Sequence, residues 1–186
     1  MKTRKFLKLS AAIVATTGLG AAWLTRAENN SSGQTGTGTA RKITMSELEN
    51  LESNPQTIEP ISLSKEEWQT HLSKSEYYVL RRAGTERPGT SYLNQEKRNG
   101  EYACAGCGLS LFSSNTKFES GTGWPSFYEP IAGRLGESTD FKIGYPRTEY
   151  HCIRCNGHQG HVFKDGPRPT GLRYCNNGVA LKFVPA

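Results

Sequence analysis

Five cysteines and four histidines carry most of the chemistry available to this 186-residue chain. Cys104 and Cys107 form one C-x-x-C pair, Cys152 and Cys155 a second, and Cys175 stands alone. Two such pairs from distant parts of a chain supply four thiolates to one tetrahedral zinc ion. Each pair closes on the metal from a tight turn, here permitted by Gly106 and Gly108 and by Asn156-Gly157, and a site filled by four protein ligands is closed and structural. The competing reading is two disulfides. A bridge inside a C-x-x-C is usually redox-active, however, and a bridge between the pairs does not need that spacing twice.

Cys175 is either a small buried hydrophobe or a nucleophile. Its neighbours favour the second use: Arg173 lies two residues away on the same face of a strand, and His158 and His161 stand upstream in Gly-His-Gln-Gly-His, all able to favour a thiolate. Histidines at that spacing also serve as metal ligands. With four cysteines already filling a tetrahedral site, this pair is freer to act as proton donors near Cys175. His71 is expected on a helix and in solvent, and His151 abuts the second knuckle with no evident partner. In Gly121-Thr-Gly-Trp-Pro-Ser-Phe127, a glycine-flexible and proline-fixed turn carries Trp124. Such a ring belongs either to the core or to a pocket, and in a pocket it suits a small apolar group such as a methyl.

The elements that must position these residues are short. Ser64-Lys-Glu-Glu67 is a capping box, and Leu63 with Trp68 has the spacing of a hydrophobic staple. One helix is therefore expected to about Ser73, with Trp68 and Leu72 inward, followed by a short apolar piece from Tyr77 to Leu80. After Gly100 the pattern changes to β-like runs: 101–104, 117–119, 139–145, 149–153, 161–163, 172–175 and 179–184, the last with Val179, Leu181 and Phe183 alternating. The expected fold is mainly β, with small coiled antiparallel sheets, one or two short N-terminal helices and a structural zinc site, over residues 61–185.

Ahead of that domain, Lys2, Arg4, Lys5 and Lys8 precede an apolar run from Leu9 to Leu24, and Ala27 offers a cleavage point. Residues 1–27 thus read as an export signal, or as an anchor if uncleaved. Thr3 occupies the place of the first arginine of a twin-arginine signal, so that route is only suggested. The expected location is periplasm, a thylakoid-lumen-like compartment or cell envelope. Residues 28–60 read as a flexible linker, with a short amphipathic piece around Met45 to Leu51. The chain has 23 basic and 17 acidic residues, and residues 1–27 hold five of the basic ones and none of the acidic ones. The remainder is therefore 18 against 17, close to neutral, which gives no footprint for nucleic acid.

Gly-Thr-Gly-Trp-Pro-Ser-Phe, Gly-His-Gln-Gly-His-Val-Phe-x-Asp-Gly-Pro, Pro-Thr-Gly-Leu-Arg-Tyr-Cys-x-Asn and the paired C-x-x-C motifs together resemble the peptide methionine sulfoxide reductases of the B type, from about Leu63 to Phe183. The resemblance implies reduction of the R epimer of methionine sulfoxide, free or in proteins, on a mainly β fold with a structural zinc. It implies that Cys175 attacks the sulfoxide sulfur, that His161 helped by His158 protonates the oxygen, and that Asn177 and Arg173 order water and charge. Trp124, with Phe163, would hold the S-methyl group, and Cys175 would be left as a sulfenic acid.

Two positions depart from that pattern. Thr122 stands where many relatives carry a resolving cysteine, so the expected reductant is an outside thiol, such as a thioredoxin-like protein, acting directly on the sulfenic acid. Gly89 stands where a larger residue is common, which loosens the pocket rim. The chain is expected to act as a monomer on methionine-sulfoxide-containing proteins, with membrane attachment only through its N-terminal segment. The leading alternative is a non-catalytic zinc-stabilised β module that binds a protein partner, which leaves Cys175 without a use. A cysteine hydrolase has the right residue types but lacks a recognisable oxyanion-hole turn.

Overall fold

The computed structural model describes residues 39–54 and 56–186. The expected export segment, and the linker as far as residue 38, lie outside the described residues. Three helices, where one or two were expected, precede most of the strands: α1 (Met45–Glu52), α2 (Lys65–His71) and α3 (Lys74–Arg82). Each opens on a complete capping box, Thr44 with Glu47, Ser64 with Glu67 and Ser73 with Glu76. Ser73 starts a new helix where a single one was expected to fade, so the chain turns between Leu72 and Lys74 and the Tyr77–Leu80 piece becomes the middle of α3.

The linker expected over 28–60 is not free beyond Arg41. Strand β1 (Arg41–Lys42) pairs in parallel with β2 (Ile61–Ser62), and α1 buries Leu48 completely while Ile43 is 2% exposed. Few residues of the segment are apolar, but those few are placed to be buried. Buried Arg154 then fastens the loop after α1, donating to the carbonyls of Leu51, Asn54 and Thr57 at 3.2, 2.9 and 2.6 Å. Both the amphipathic spacing and a long-range cation are needed for this order, and only the first is visible in local sequence.

The β part is two antiparallel sheets. The smaller has the order β11-β3-β4, from β3 (Gly100–Cys104), β4 (Ser110–Ser113) and β11 (Leu181–Pro185). The larger has the order β5-β6-β10-β9-β8-β7. Its strands are β5 (Lys117–Phe118), β6 (Ser126–Phe127), β7 (Leu135–Asp140), β8 (Arg147–Cys152), β9 (His158–Phe163) and β10 (Arg173–Asn176). Between the sheets Phe112 stacks on Phe127 at 4.2 Å and Tyr102 meets Phe127 edge-on at 4.9 Å, while on the inner face of the larger sheet Tyr150 meets Tyr174 at 5.3 Å. Because side chains alternate along a strand, burying Tyr150 and Tyr174 inward turns their neighbours Glu149 and Cys175 to the outer face of the large sheet. The run expected as a strand over 139–145 is strand only to Asp140; Phe141, Ile143 and Tyr145 sit in the exposed β7–β8 turn. Among the described residues no helix is long and apolar enough to cross a membrane.

Candidate active site and metal centre

The four knuckle cysteines converge. The Sγ atoms of Cys104, Cys107, Cys152 and Cys155 all lie within 4.8 Å of one another, all buried, with Cys104–Cys155 and Cys107–Cys152 at 3.6 Å. A tetrahedral thiolate site with metal–sulfur bonds of about 2.3 Å has sulfurs roughly 3.8 Å apart, so the quartet is placed to bind a metal ion and is too open for two disulfides. The surroundings fit a dianionic thiolate centre. Arg154, 1% exposed, donates to the Cys107 carbonyl at 2.7 Å, and Gln159 Nε2 donates to Cys104 Sγ at 3.3 Å. His71 is not in solvent as expected. Its side chain is 14% exposed, with Nε2 3.1 Å from the Gly106 carbonyl in the first knuckle.

A buried chain of polar groups links this centre to the strand that carries the lone thiol. Gln159 Oε1 accepts from Asn176 Nδ2 at 3.3 Å, and Asn176 Oδ1 accepts from Tyr150 Oη at 2.8 Å. Next along β10, Cys175 faces outward. Register places it directly opposite His161 of β9 on one side and Ser126 of β6 on the other, and His161 in turn opposite Glu149 of β8. One row across the sheet thus presents hydroxyl, thiol, imidazole and carboxylate on the same face.

His158 joins that face through an irregularity. Residues three apart on a regular strand point to opposite faces, but the β8–β9 register shifts between Tyr150 and His151, so that Tyr150 pairs with Gly160 and His151 with His158. The extra residue in β9 turns His158 to the side of His161, with ring centroids 5.5 Å apart. Gly160, between them, has to be glycine: a Cβ there would lie 1.9 Å from the Cys175 carbonyl oxygen.

Cys175, His161, Trp124, Phe163 and Asn177 line one cavity of about 120 Å³, closed by Thr85, Arg147 and the backbone around Gly160. That volume is of the order of a small side-chain head group. His158 and Arg173 do not line it. Arg173 instead lies over the Phe163 ring at 4.4 Å and pairs with both oxygens of Asp165 at 2.9 Å. The Asn177 side chain is spent on the protein, accepting from the Glu86 N–H at 3.0 Å and donating to the Gln159 carbonyl at 2.9 Å. Trp124 Nε1 donates to the Glu86 carbonyl at 3.2 Å, and the Glu86 carboxylate accepts from the N–H groups of Gly178 and Val179 at 2.5 and 3.0 Å. The loop containing Glu86 therefore straps the indole to the end of β10. The same strap is clasped at Gly89, whose N–H donates to Gly123 O at 2.7 Å with φ +76, a conformation that suits glycine.

Burial pushes the Cys175 thiol above its ordinary range, opposed by the Arg173 charge and by a hydrogen bond from Thr122. Burial also lowers His161, while the bond from its Nε2 to Asp140 Oδ2 at 2.8 Å works the other way and the Arg147 charge lowers it further. The pair therefore rests as thiol and neutral imidazole.

The family model described as the SelR domain matches residues 72–185. The chain belongs to the SelR-domain family. The peptide methionine sulfoxide reductase MsrB of Leptospira interrogans (serogroup Icterohaemorrhagiae, serovar Lai) is 51% identical over 124 residues, covering 66% of this chain and 95% of the relative. Its namesake from Pseudomonas putida (strain W619) is 53% identical over 129 residues, 69% and 97% of the two chains. That from Thiobacillus denitrificans is 55% identical over 120 residues, 64% and 91%. The resemblance to the B-type reductases seen in the motifs thus extends over most of this chain.

Several residues of this SelR domain that hold the site were absent from the sequence reading. Asp140 anchors His161, Arg147 ties Asp140 at 2.5 Å, and Glu149 bonds both His158 and His151, at 2.7 and 3.1 Å. His151, expected without a partner, has one in Glu149. The Arg-Thr-Glu run at 147–149 opens a strand that pairs with the histidine strand, and that pairing was the one available signal.

Proposed function

We propose that this enzyme, a peptide methionine sulfoxide reductase, acts on the R epimer, through a sulfenic acid on Cys175 and with an outside thiol as reductant. The observation that carries the reading is the direct pairing of Cys175 with His161 at the wall of a small cavity that also holds Trp124 and Phe163. The indole and phenyl rings accept the S-methyl group, and the sulfoxide oxygen turns toward His161. With each substituent given one place, only one configuration at sulfur presents its sulfur to Cys175.

The chemistry then needs one proton moved and two electrons exchanged. His161 takes the proton of Cys175, and the thiolate attacks the sulfoxide sulfur while His161 returns the proton to the oxygen. The S–O bond breaks as the hydroxyl passes to the Cys175 sulfur and the S–S bond to the substrate opens, so methionine leaves with its sulfur reduced by two electrons and Cys175 carries the oxygen as a sulfenic acid. One outside thiol attacks that sulfur and releases water, and a second thiol resolves the mixed disulfide and restores Cys175. The hydroxyl of Thr122, at the position of a resolving cysteine in many relatives, cannot perform the first of these attacks.

The cysteine quartet would hold zinc, whose contribution is a four-coordinate cross-link between the two knuckles. Cys104, Cys107, Cys152 and Cys155 fix the start of β9 through the second knuckle, and so the place of both histidines. The basic and apolar pattern of residues 1–27 supports export to an oxidising compartment, where protein methionine is exposed to oxidants. The test of the reaction is trapping: after one turnover without reductant, dimedone labelling should fall on Cys175 alone. Labelling elsewhere, or none after sulfoxide consumption, would refute the intermediate.

A further inference from the structure

Glu149 lies outside the cavity that holds Cys175, yet it touches more of the imidazole groups around the site than any other carboxylate among the described residues. Its Oε1 meets His158 Nδ1 at 2.7 Å, and its Oε2 meets His151 Nδ1 at 3.1 Å and the Ser138 hydroxyl at 2.7 Å. Burial opposes its charge, but these three donors outweigh burial and hold the carboxyl at about 2, so near neutrality it is an acceptor only. Both Nδ1 atoms must then carry their protons. For His158, which is 5% exposed, that leaves the bare lone pair on Nε2, and this atom is buried with no hydrogen-bond partner among the described residues. A buried imidazole held for architecture alone has both nitrogens satisfied.

We propose that Glu149 is the positioning residue of the histidine pair. It locks His158 as the Nδ1–H tautomer, so that Nε2 is kept as a proton acceptor beside His161. The inference rests on the reading of Cys175 and His161 as the reducing centre. It assigns the two histidines different duties: His161, anchored through Nε2 to Asp140, exchanges the proton with the reacting oxygen, and His158 orients or relieves it as an acceptor. The shift of register that turns His158 to this face also brings His151 opposite it, so one carboxylate serves both rings.

Glu149→Gln tests this with little change of shape. The amide oxygen takes the side with two donors, Ser138 and His151, which leaves the NH₂ facing His158 Nδ1. That nitrogen must then accept, and the proton moves to Nε2. In ¹⁵N spectra of the metal-loaded full chain, His158 should show a protonated Nδ1 and a bare Nε2 in the wild type, and the reverse in E149Q. The kcat for sulfoxide reduction should fall roughly 10- to 100-fold, with KM within about two-fold. His151→Asn, which leaves the Glu149–His158 bond in place, should retain near wild-type kcat.

A wild-type His158 protonated on Nε2 would overturn the tautomer assignment whether or not E149Q folds. An inverted tautomer with unchanged kcat would overturn the positioning role, as would an equal loss in His151→Asn. Absence of sulfoxide reduction by the wild type would instead sink the functional reading while leaving the tautomer result standing.

Discussion

Arg154 is the residue whose removal should reach furthest. Among the described residues its buried guanidinium has no carboxylate partner, and its four bonds go to the carbonyls of Leu51, Asn54, Thr57 and Cys107. Methionine at this position keeps most of the apolar stem and removes every donor. Each buried carbonyl left unpaired costs about 1–3 kcal/mol. Three of the four belong to the segment before β2 and can regain water if that segment lifts away. Lifting it exposes Ile43 and Leu48, at about 1.5–3 kcal/mol each. The cheaper route sets the loss, so Arg154→Met should cost about 3–6 kcal/mol, the sum for exposing the two side chains. At roughly 2–4 °C per kcal/mol for a chain of this size, the melting temperature should fall by about 10 °C. Circular dichroism of the metal-loaded protein measures this. Limited trypsin digestion should show cleavage at Arg41 and Lys42, which β1–β2 pairing protects in the parent. A melting temperature within about 2 °C of the parent, with no new cleavage, would show that the segment is held by something else.

Thr122→Cys places a thiol where a hydroxyl now bonds Cys175. After one turnover the variant should lose two hydrogens in the mass spectrum as a 122–175 disulfide, and should be recycled faster by thioredoxin than the parent. Gly160→Ala should abolish activity and cost more than about 4 kcal/mol, since the methyl meets the Cys175 carbonyl at 1.9 Å; a normal denaturant midpoint would contradict the bulge. For Cys175, burial favours the neutral thiol, so the reactive thiolate increases as pH rises past the ordinary cysteine range. Iodoacetamide rates against pH should show that displacement, and Arg173→Gln should move the curve higher still by removing the charge that most favours the thiolate.

What could be read in the sequence was whatever local spacing encodes. The two C-x-x-C pairs specify their knuckles over four residues each, and Ser64 with Glu67 announces α2 because both partners of the capping box lie within one turn. Cys175 stood out by being unpaired. The rest depends on which strands become neighbours. Glu149 and Asp140 acquire their roles only when β7 and β8 line up beside β9, and His158 and His161 are three positions apart, a spacing that a regular strand would turn to opposite faces. Arg154 lies inside the second C-x-x-C, and its bonds to carbonyls about a hundred positions earlier have no local signature. For the same reason, the stretch between Arg41 and Pro60 read as linker when it is part of the folded body.

The most direct test of the central claim is reduction of separated R and S epimers of a blocked methionine sulfoxide by the metal-loaded chain with dithiothreitol, beside Cys175→Ser. Turnover of the R epimer alone, lost in the variant, is the expected result. Turnover of the S epimer, or undiminished turnover by Cys175→Ser, would contradict it.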